Sequence, residues 1–261
     1  MRVVALLYHG IVEAGAHDSS GFKGGDANLY KLDRREFEDH LSAIAEAVRA
    51  RSLRVDTVPV VHEPAVMLTF DDGGASAHPL TAELLEKHDW RGHFFVTTSF
   101  IGRRGFIGRG DIVALRRRGH VIGTHSHSHP TRMSRCTPGE LEREWSESRA
   151  ILSDILGEPV TAASVPGGYY SRRVAEAAAL AGIRYLFNSE PVTSVQEVDG
   201  CAVFGRFAVK RRLSARAAAS IAAGRAGPRL GHFLLWNGKK VLKAAGGEYW
   251  LMLRKALLAE R

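Results

Sequence analysis

The sequence predicts a parallel α/β barrel, and three observations predict it. Short apolar runs of β type alternate with helical patterns along most of the chain, as expected of βαβ units sharing a parallel sheet. Six or seven such units in 261 residues suit a barrel, complete or one unit short, better than a three-layer sheet. Polar or glycine-rich clusters directly follow four of the runs. In a parallel barrel those strand ends converge on one face, where active sites are built.

The elements follow in order. The opening run, RVVALLY, is expected as a strand at 2–8. A Gly/Ser/Asp-rich loop at 13–28, long enough to act as a lid, leads to a helix at 34–50. Further strands are expected at 65–70, 92–97, 120–124, 161–165 and 183–187, with a weaker one at 201–207. Helices at 79–88, 111–118, 138–156, 172–181 and 214–223 lie between or after them. The helix at 138–156 has the clearest start. Thr137 and Glu140 have capping-box spacing, and Pro138 takes the first helical position. A last helix is expected at 239–260, interrupted at Gly246-Gly247. No repeat or interdomain linker breaks the pattern, so residues 1–261 are expected to form one domain.

The totals narrow the class. Hydrophobic residues make up 45% and charged residues 25%, an ordinary balance for a soluble globular protein. The net charge of +8 suits acidic partners, but the basic residues are dispersed, with short runs only at Arg116–Arg118 and Lys210–Arg212. That reads as a solvated basic surface rather than a nucleic-acid site. Neither a Rossmann GxGxxG nor a Walker phosphate loop is present. Cys136 and Cys201 lack CxxC spacing and read as reduced thiols. The start, MRVVALLYHG, lacks the features of a signal peptide, and no stretch is long and apolar enough to span a bilayer. The expectation is a cytoplasmic protein whose basic surface permits peripheral association with the membrane face.

Chemistry concentrates after the strands. MLTFDDGG puts Asp71 and Asp72 directly beyond one run, THSHSHP follows a second, SVPGGYY a third, and Tyr8-His9 lie at the end of the first. His125 and His129 are four residues apart. A helical turn would place them on one side, and an extended segment would line up all three histidines. Either way His125 and His129 point together, and two imidazoles with one carboxylate form a common catalytic zinc set. Either FDDG aspartate could complete it. Adjacent aspartates raise each other's pKa unless a cation intervenes. A metal would let one bind and leave the other as a base.

The stretches Thr69-Phe70-Asp71-Asp72-Gly73 and His125-Ser126-His127-Ser128-His129 resemble the first two motifs of the polysaccharide deacetylases, the carbohydrate esterase family 4 or NodB-homology group. Their order and separation fit, as do the opening LLYHGI and the REFEDHL that follows. The resemblance covers about residues 1–190, leaving about 191–261 divergent. It implies a distorted (β/α) barrel of about seven parallel strands and metal-dependent removal of an acyl group from a sugar. It makes Asp71 the catalytic base and Asp72, His125 and His129 the metal ligands. The third family motif reads Arg-x-Pro-x-Gly, and here Ser164 stands in place of its Arg, ahead of Pro166, Gly167 and Gly168. That Arg braces the catalytic Asp in the family, so the resemblance leaves Asp71 without a brace from this position. Gly167 falls where a backbone N–H holds the oxyanion. The fourth motif has no match, and Leu230-Gly231-His232 matches the letters of the fifth, which supplies the general acid.

The expected function is therefore a deacetylase acting on an N-acetylated sugar of a polysaccharide or lipid-linked glycan. It would use one divalent ion, zinc above all, whose bound water attacks once Asp71 takes its proton. His9, on the metal-motif face, is favoured over His232 as acid or substrate contact, and Tyr169 or Tyr170 as sugar contacts. A related C–N hydrolase of small amides and an inactive glycan- or metal-binding module are the alternatives.

Overall fold

The structure, a computed structural model, describes residues 3–48, 54–57, 65–227 and 229–231. It opens with the wholly buried β1 (Val3–Tyr8). A short parallel ribbon of β2 (Ile11–Val12) and β3 (Leu32–Asp33) encloses the single-turn α1 (Gly25–Asn28) and leads into α2 (Arg34–Val48). Strand and helix then alternate through β4 (Ala65–Phe70), α3 (Leu80–Glu86), β5 (His93–Val96), α4 (Arg109–Arg117), β6 (Val121–Thr124), α5 (Pro138–Leu156), β7 (Ala162–Ser164), α6 (Arg172–Leu180) and β8 (Tyr185–Phe187). The hairpin of β9 (Gln196–Val198) and β10 (Cys201–Phe204) follows, then β11 (Phe207–Ala208) and α7 (Ala215–Ala222).

The main sheet has the order β11-β1-β4-β5-β6-β7-β8-β10-β9. Its pairings are parallel except for the β9–β10 hairpin. This is the expected barrel, with eight parallel strands where about seven were expected. The difference lies in the run 201–207. It is not one strand but two, broken at Gly205-Arg206. β10 pairs with β8 and β11 pairs with β1, at opposite ends of the order. The three Cα–Cα steps from Phe204 to Phe207 span at most about 11 Å when extended, so the sheet must curl until those ends approach. Glycine at 205 is required by the close approach. A Cβ there would lie 2.4 Å from the Glu190 carbonyl oxygen and 2.5 Å from Val192.

The curl is also visible in the interior. Val3, Ala5, Met67, Phe95, Val121, Ala162, Phe187 and Phe204, from seven different strands, form one buried cluster with Val55. A flat sheet could not bring these residues together. The outer faces bury larger apolar stripes: α2, α3, α4 and α7 pack over β1 and β4 to β6, and α5 and α6 over β7, β8 and β10. Trp145, fully buried on α5, donates its indole N–H to the Val174 carbonyl and fixes α5 against α6. The capping box forms as expected, with Glu140 accepting from Thr137 N at 2.7 Å. Gly157 ends α5 in the left-handed region.

Both cysteines are free, and burial pushes the Cys201 thiol up to about 12. No helix among the described residues is long and apolar enough to cross a membrane. The helix expected at 239–260, with its break at Gly246-Gly247, lies outside the described residues, as does His232.

Packing inside the barrel leaves no room at Gly123 of β6. A Cβ there would lie 2.6 Å from the Phe95 ring and 2.7 Å from the Ala162 carbonyl oxygen. Gly123→Ala is expected to destabilise the fold by about 1–3 kcal/mol, the usual cost of overpacking, read as a lower midpoint in urea unfolding.

Candidate active site

The four strand-end motifs do converge. β4 delivers Asp71 and Asp72, and the chain continues along β1, with Asp71 N donating to the Tyr8 carbonyl at 3.1 Å. Asp72 takes a left-handed conformation, φ 75°, and so does Gly73. This kink sends the two carboxylates in different directions. Gly73 has to be glycine, because a Cβ would lie 3.3 Å from the Val96 backbone.

β6 delivers His125. The loop after it is neither a helical turn nor an extended strand. Ser126 and His129 are both left-handed, φ 65° and 59°, and His129 N donates to Ser126 Oγ. Glu144 of α5 accepts the N–H groups of His127 and Ser128 at 2.8 Å each and so fixes the loop. The outcome agrees with the spacing argument although the route differs. His125 and His129 face each other with ring centroids 5.1 Å apart. His127 turns away, its Nδ1 lying 3.0 Å from Thr98 Oγ1 and its Nε2 3.6 Å from Glu147.

Asp72 Oδ1 is 3.6 Å from His125 Nε2 and 3.6 Å from His129 Nε2. Among the described residues these three side chains form a group of donors all within 4.8 Å of one another. The donor chemistry fits a divalent ion. His125 Nδ1 donates to the Ser164 carbonyl at 3.0 Å, leaving the Nε2 lone pair toward the group. Burial pushes His125 down to about 3 and lowers His129 as well, so both imidazoles are neutral near pH 7. Burial, reinforced by the Asp71 charge, raises Asp72 to about 6 against the opposing pull of His9 and Lys31. A bound cation would reverse that shift.

Asp71 has a different environment. Arg206, fully buried, donates Nη1 to Asp71 Oδ1 at 2.8 Å and Nη2 to Oδ2 at 2.9 Å. It also donates to Thr69 Oγ1, Ser164 Oγ and the Asn188 carbonyl. Burial alone would raise the Asp71 carboxyl, but the Arg206 charge and then His125 overcome it and hold Asp71 well below the usual carboxylate range. With Ser164 in place of the family arginine, the sequence leaves the orientation of Asp71 open. In the structure a guanidinium reaches Asp71 from the break between β10 and β11. The available signal was a lone charge inside the apolar run VFGRF, since arginine is almost never fully buried without a partner.

His9 lies beyond β1, close enough to act electrostatically on Asp71, Asp72 and His125. Its Nδ1 is buried with no hydrogen-bond partner among the described residues, and its ring is 5.0 Å from that of Tyr30. His9, Asp71, Gly73 and Gly74 line one small cavity. On the other side, the Pro166–Gly168 turn follows β7, Pro166 is buried and Gly167 has φ 62°. A Cβ on Gly167 would lie 3.1 Å from the Thr131 carbonyl oxygen, so the turn lies against the histidine loop. Tyr169 stands beside Arg132, whereas Tyr170 packs against the core beneath α6.

The 13–28 loop is anchored rather than loose. Lys31, buried, donates Nζ to the carbonyls of His17 and Phe22 and to Asn28 Oδ1. Phe22 is thereby held with its ring 4.7 Å from His129 and against Phe100 and Phe106. Beyond the loop's length, nothing in the local sequence pattern points to this wall.

Residues 59–186 match the family profile described as polysaccharide deacetylase. The putative polysaccharide deacetylase YxkH of Bacillus subtilis is 23% identical over 196 residues, covering 73% of this chain and 65% of that protein. The peptidoglycan-N-acetylglucosamine deacetylase PgdA of Listeria monocytogenes is 29% identical over 157 residues, covering 58% of this chain and 32% of that protein. The chain thus matches less than two thirds of the length of either relative. Among solved structures, the deacetylase PplD of Streptococcus pyogenes, in complex with acetate, superposes with a TM-score of 0.69 at 18% identity, over 82% of this chain and 95% of that one. IcaB from Ammonifex degensii gives 0.67 at 20% identity, over 85% and 97%. These structures share the fold.

The opposed orientations of His125 and His127 are expected to show in metal binding. Zinc titration followed by metal analysis should find His125→Ala depleted and His127→Ala still loaded.

Proposed function

The chain belongs, through residues 59–186, to the polysaccharide deacetylase family, and from that premise we propose that it hydrolyses the N-acetyl amide of a sugar in a polysaccharide or lipid-linked glycan. The observation that carries this reading is the pairing of two unlike carboxylates. Asp71 is ionised and held by Arg206, 3.8 Å from His125 Nε2, while Asp72 faces the two imidazoles. A binding module has no use for a separately braced carboxylate at that place.

In this reading Asp72, His125 and His129 hold one divalent ion, and two imidazoles with a carboxylate favour zinc. Such an ion supplies a Lewis acid for the acyl carbonyl and lowers the pKa of water. The chain's own residues do the rest. Asp71 accepts the proton of the attacking water as its oxygen bonds to the acyl carbon. The Gly167 N–H donates to the oxygen on which negative charge develops, in a turn fixed by Pro166 and Gly168. As the C–N bond breaks, the amine takes a proton and acetate leaves. His9 is assigned as the donor or as a contact to the sugar, because its buried Nδ1 has no protein partner among the described residues. Tyr169 and Tyr30 offer aromatic faces at the mouth, each beside a cation, a pairing suited to sugar rings and to acidic groups attached to them.

The test is release of acetate from N-acetylglucosamine oligomers by the zinc-loaded protein. Asp71→Asn keeps the shape of the side chain but cannot accept the proton. It should lower turnover by about 10²–10⁴-fold, the usual general-base contribution, with zinc content unchanged. His9→Ala should lower turnover while leaving zinc content intact. Normal turnover in that variant would remove His9 from the mechanism.

A further inference from the structure

We propose that the substrate is an anionic glycan, one in which a phosphate or carboxylate lies beside the N-acetylated sugar, and that Arg103, Arg132 and Lys210 recognise that charge. The proposal rests on the deacetylase reading above and names its substrate class. Among the described residues, four cations lie over aromatic rings. Arg206, over Phe95, is inside the barrel. The other three stand at the C-terminal ends of parallel strands, and each leads through aromatic rings to a different side of the site.

On the first side, the Arg103 guanidinium lies 4.8 Å from the centre of the Phe100 ring, in the segment after β5. Phe100 is 4.9 Å from Phe22, and Phe22 is 4.7 Å from His129. On the second side, Arg132, three residues beyond His129, lies 5.6 Å from the Tyr169 ring. A Cβ on Gly167 would be 3.5 Å from that ring, so Tyr169 adjoins the turn assigned to the oxyanion. On the third side, Lys210, just beyond β11, has its Nζ 5.4 Å from the Tyr30 ring, and Tyr30 is 5.0 Å from His9. Each cation is thus set back from a site residue by one or two rings. An aromatic ring and a pyranose are of similar width. The set-back therefore matches a neighbouring sugar or a substituent of the reacting sugar, not the acetamido group.

An aromatic face holds a cation differently from a carboxylate. The ring attracts it through its quadrupole and restricts a long side chain that otherwise loses much rotamer freedom when it is ordered. It does not cancel the charge, and a guanidinium lying on a ring keeps its N–H donors in its own plane. The result is a positive charge held in a set place. Nearby carboxylates shape the loops instead. Asp18 accepts from Gly24 N and Asn28 Nδ2, and Glu144 from the N–H groups of His127 and Ser128. A neutral sugar draws on an aromatic face but not on a full charge at each of three sides. Phosphate and carboxylate share what these cations select, a compact oxyanion that accepts charge-assisted hydrogen bonds.

The experiment measures kcat/KM of the zinc-loaded protein on three substrates of matched size. They are a neutral N-acetylglucosamine disaccharide, the same disaccharide carrying a 1-phosphate, and a disaccharide of N-acetylglucosamine and glucuronate. At about 50 mM KCl at least one anionic substrate should exceed the neutral one by on the order of tenfold, and the excess should vanish near ~500 mM as screening shortens the reach of the charges. The anionic arm that carries the excess identifies the source of the oxyanion. Arg103→Gln, Arg132→Gln and Lys210→Gln should each cut the excess by about two- to fivefold, the size of one exposed ion pair. Arg117→Gln removes the same charge from the exposed last turn of α4 and should leave the excess unchanged. Arg103 is itself exposed, so Arg103→Gln carries the test if the combined variant does not fold. No excess on either anionic substrate, an excess that survives all three substitutions together, or an equal loss in Arg117→Gln would overturn the proposal. If wild type turns over none of the three, the deacetylase reading fails. Calorimetric binding of the same disaccharides then decides the present claim. Tighter, salt-sensitive binding of an anionic disaccharide upholds it, and equal or weaker binding overturns it.

Discussion

Two adjacent carboxylates buried at the end of one strand set the terms for this structure. Asp71 is 5% exposed and Asp72 9%, and neighbouring negative charges with little water to screen them cannot both be ionised without counter-charges. The protein handles the two separately. The left-handed kink at Asp72 turns the side chains apart, Arg206 neutralises Asp71, and Asp72 faces two neutral imidazoles. Removing one member of a buried ion pair typically costs about 3–5 kcal/mol, so the Asp71–Arg206 pair constrains the fold as much as the chemistry.

That constraint links the architecture to the site. Arg206 reaches Asp71 because the chain passes from β10 to β11 across the seam of the curled sheet, and Gly205 allows the close passage against Glu190 and Val192. His125 arrives from β6, its tautomer set by the Ser164 carbonyl of β7. The histidine loop is held from α5 by Glu144. The 13–28 loop, latched by Lys31, places Phe22 against His129. Asp71, His125 and the histidine loop are thus each oriented by a neighbour on a different element.

Much of this was legible in the sequence, for physical reasons. Strand and helix positions follow from local pattern, and FDDG, HSHSH and the Pro166–Gly168 turn sit at strand ends because the parallel topology places them there. The i, i+4 spacing of His125 and His129 gave the right pair, although left-handed residues at Ser126 and His129, not a helix or strand, bring them together. What local pattern could not reveal was long-range pairing. Arg206 is 135 residues from Asp71, and the break of 201–207 into two strands depends on contacts made across the barrel. Lys31 and Glu144 likewise look like ordinary surface charges until the loops they hold are in place.

The central claim is the division of labour between Asp71 and Asp72, and the most direct measurement is the crystal structure of the wild-type protein soaked with zinc, with the ion located by anomalous scattering. The account predicts one ion at about 2.0–2.2 Å from Asp72, His125 and His129, with Asp71 outside the coordination sphere and still paired with Arg206. An ion bridging Asp71 and Asp72, or bound through His127, would contradict it.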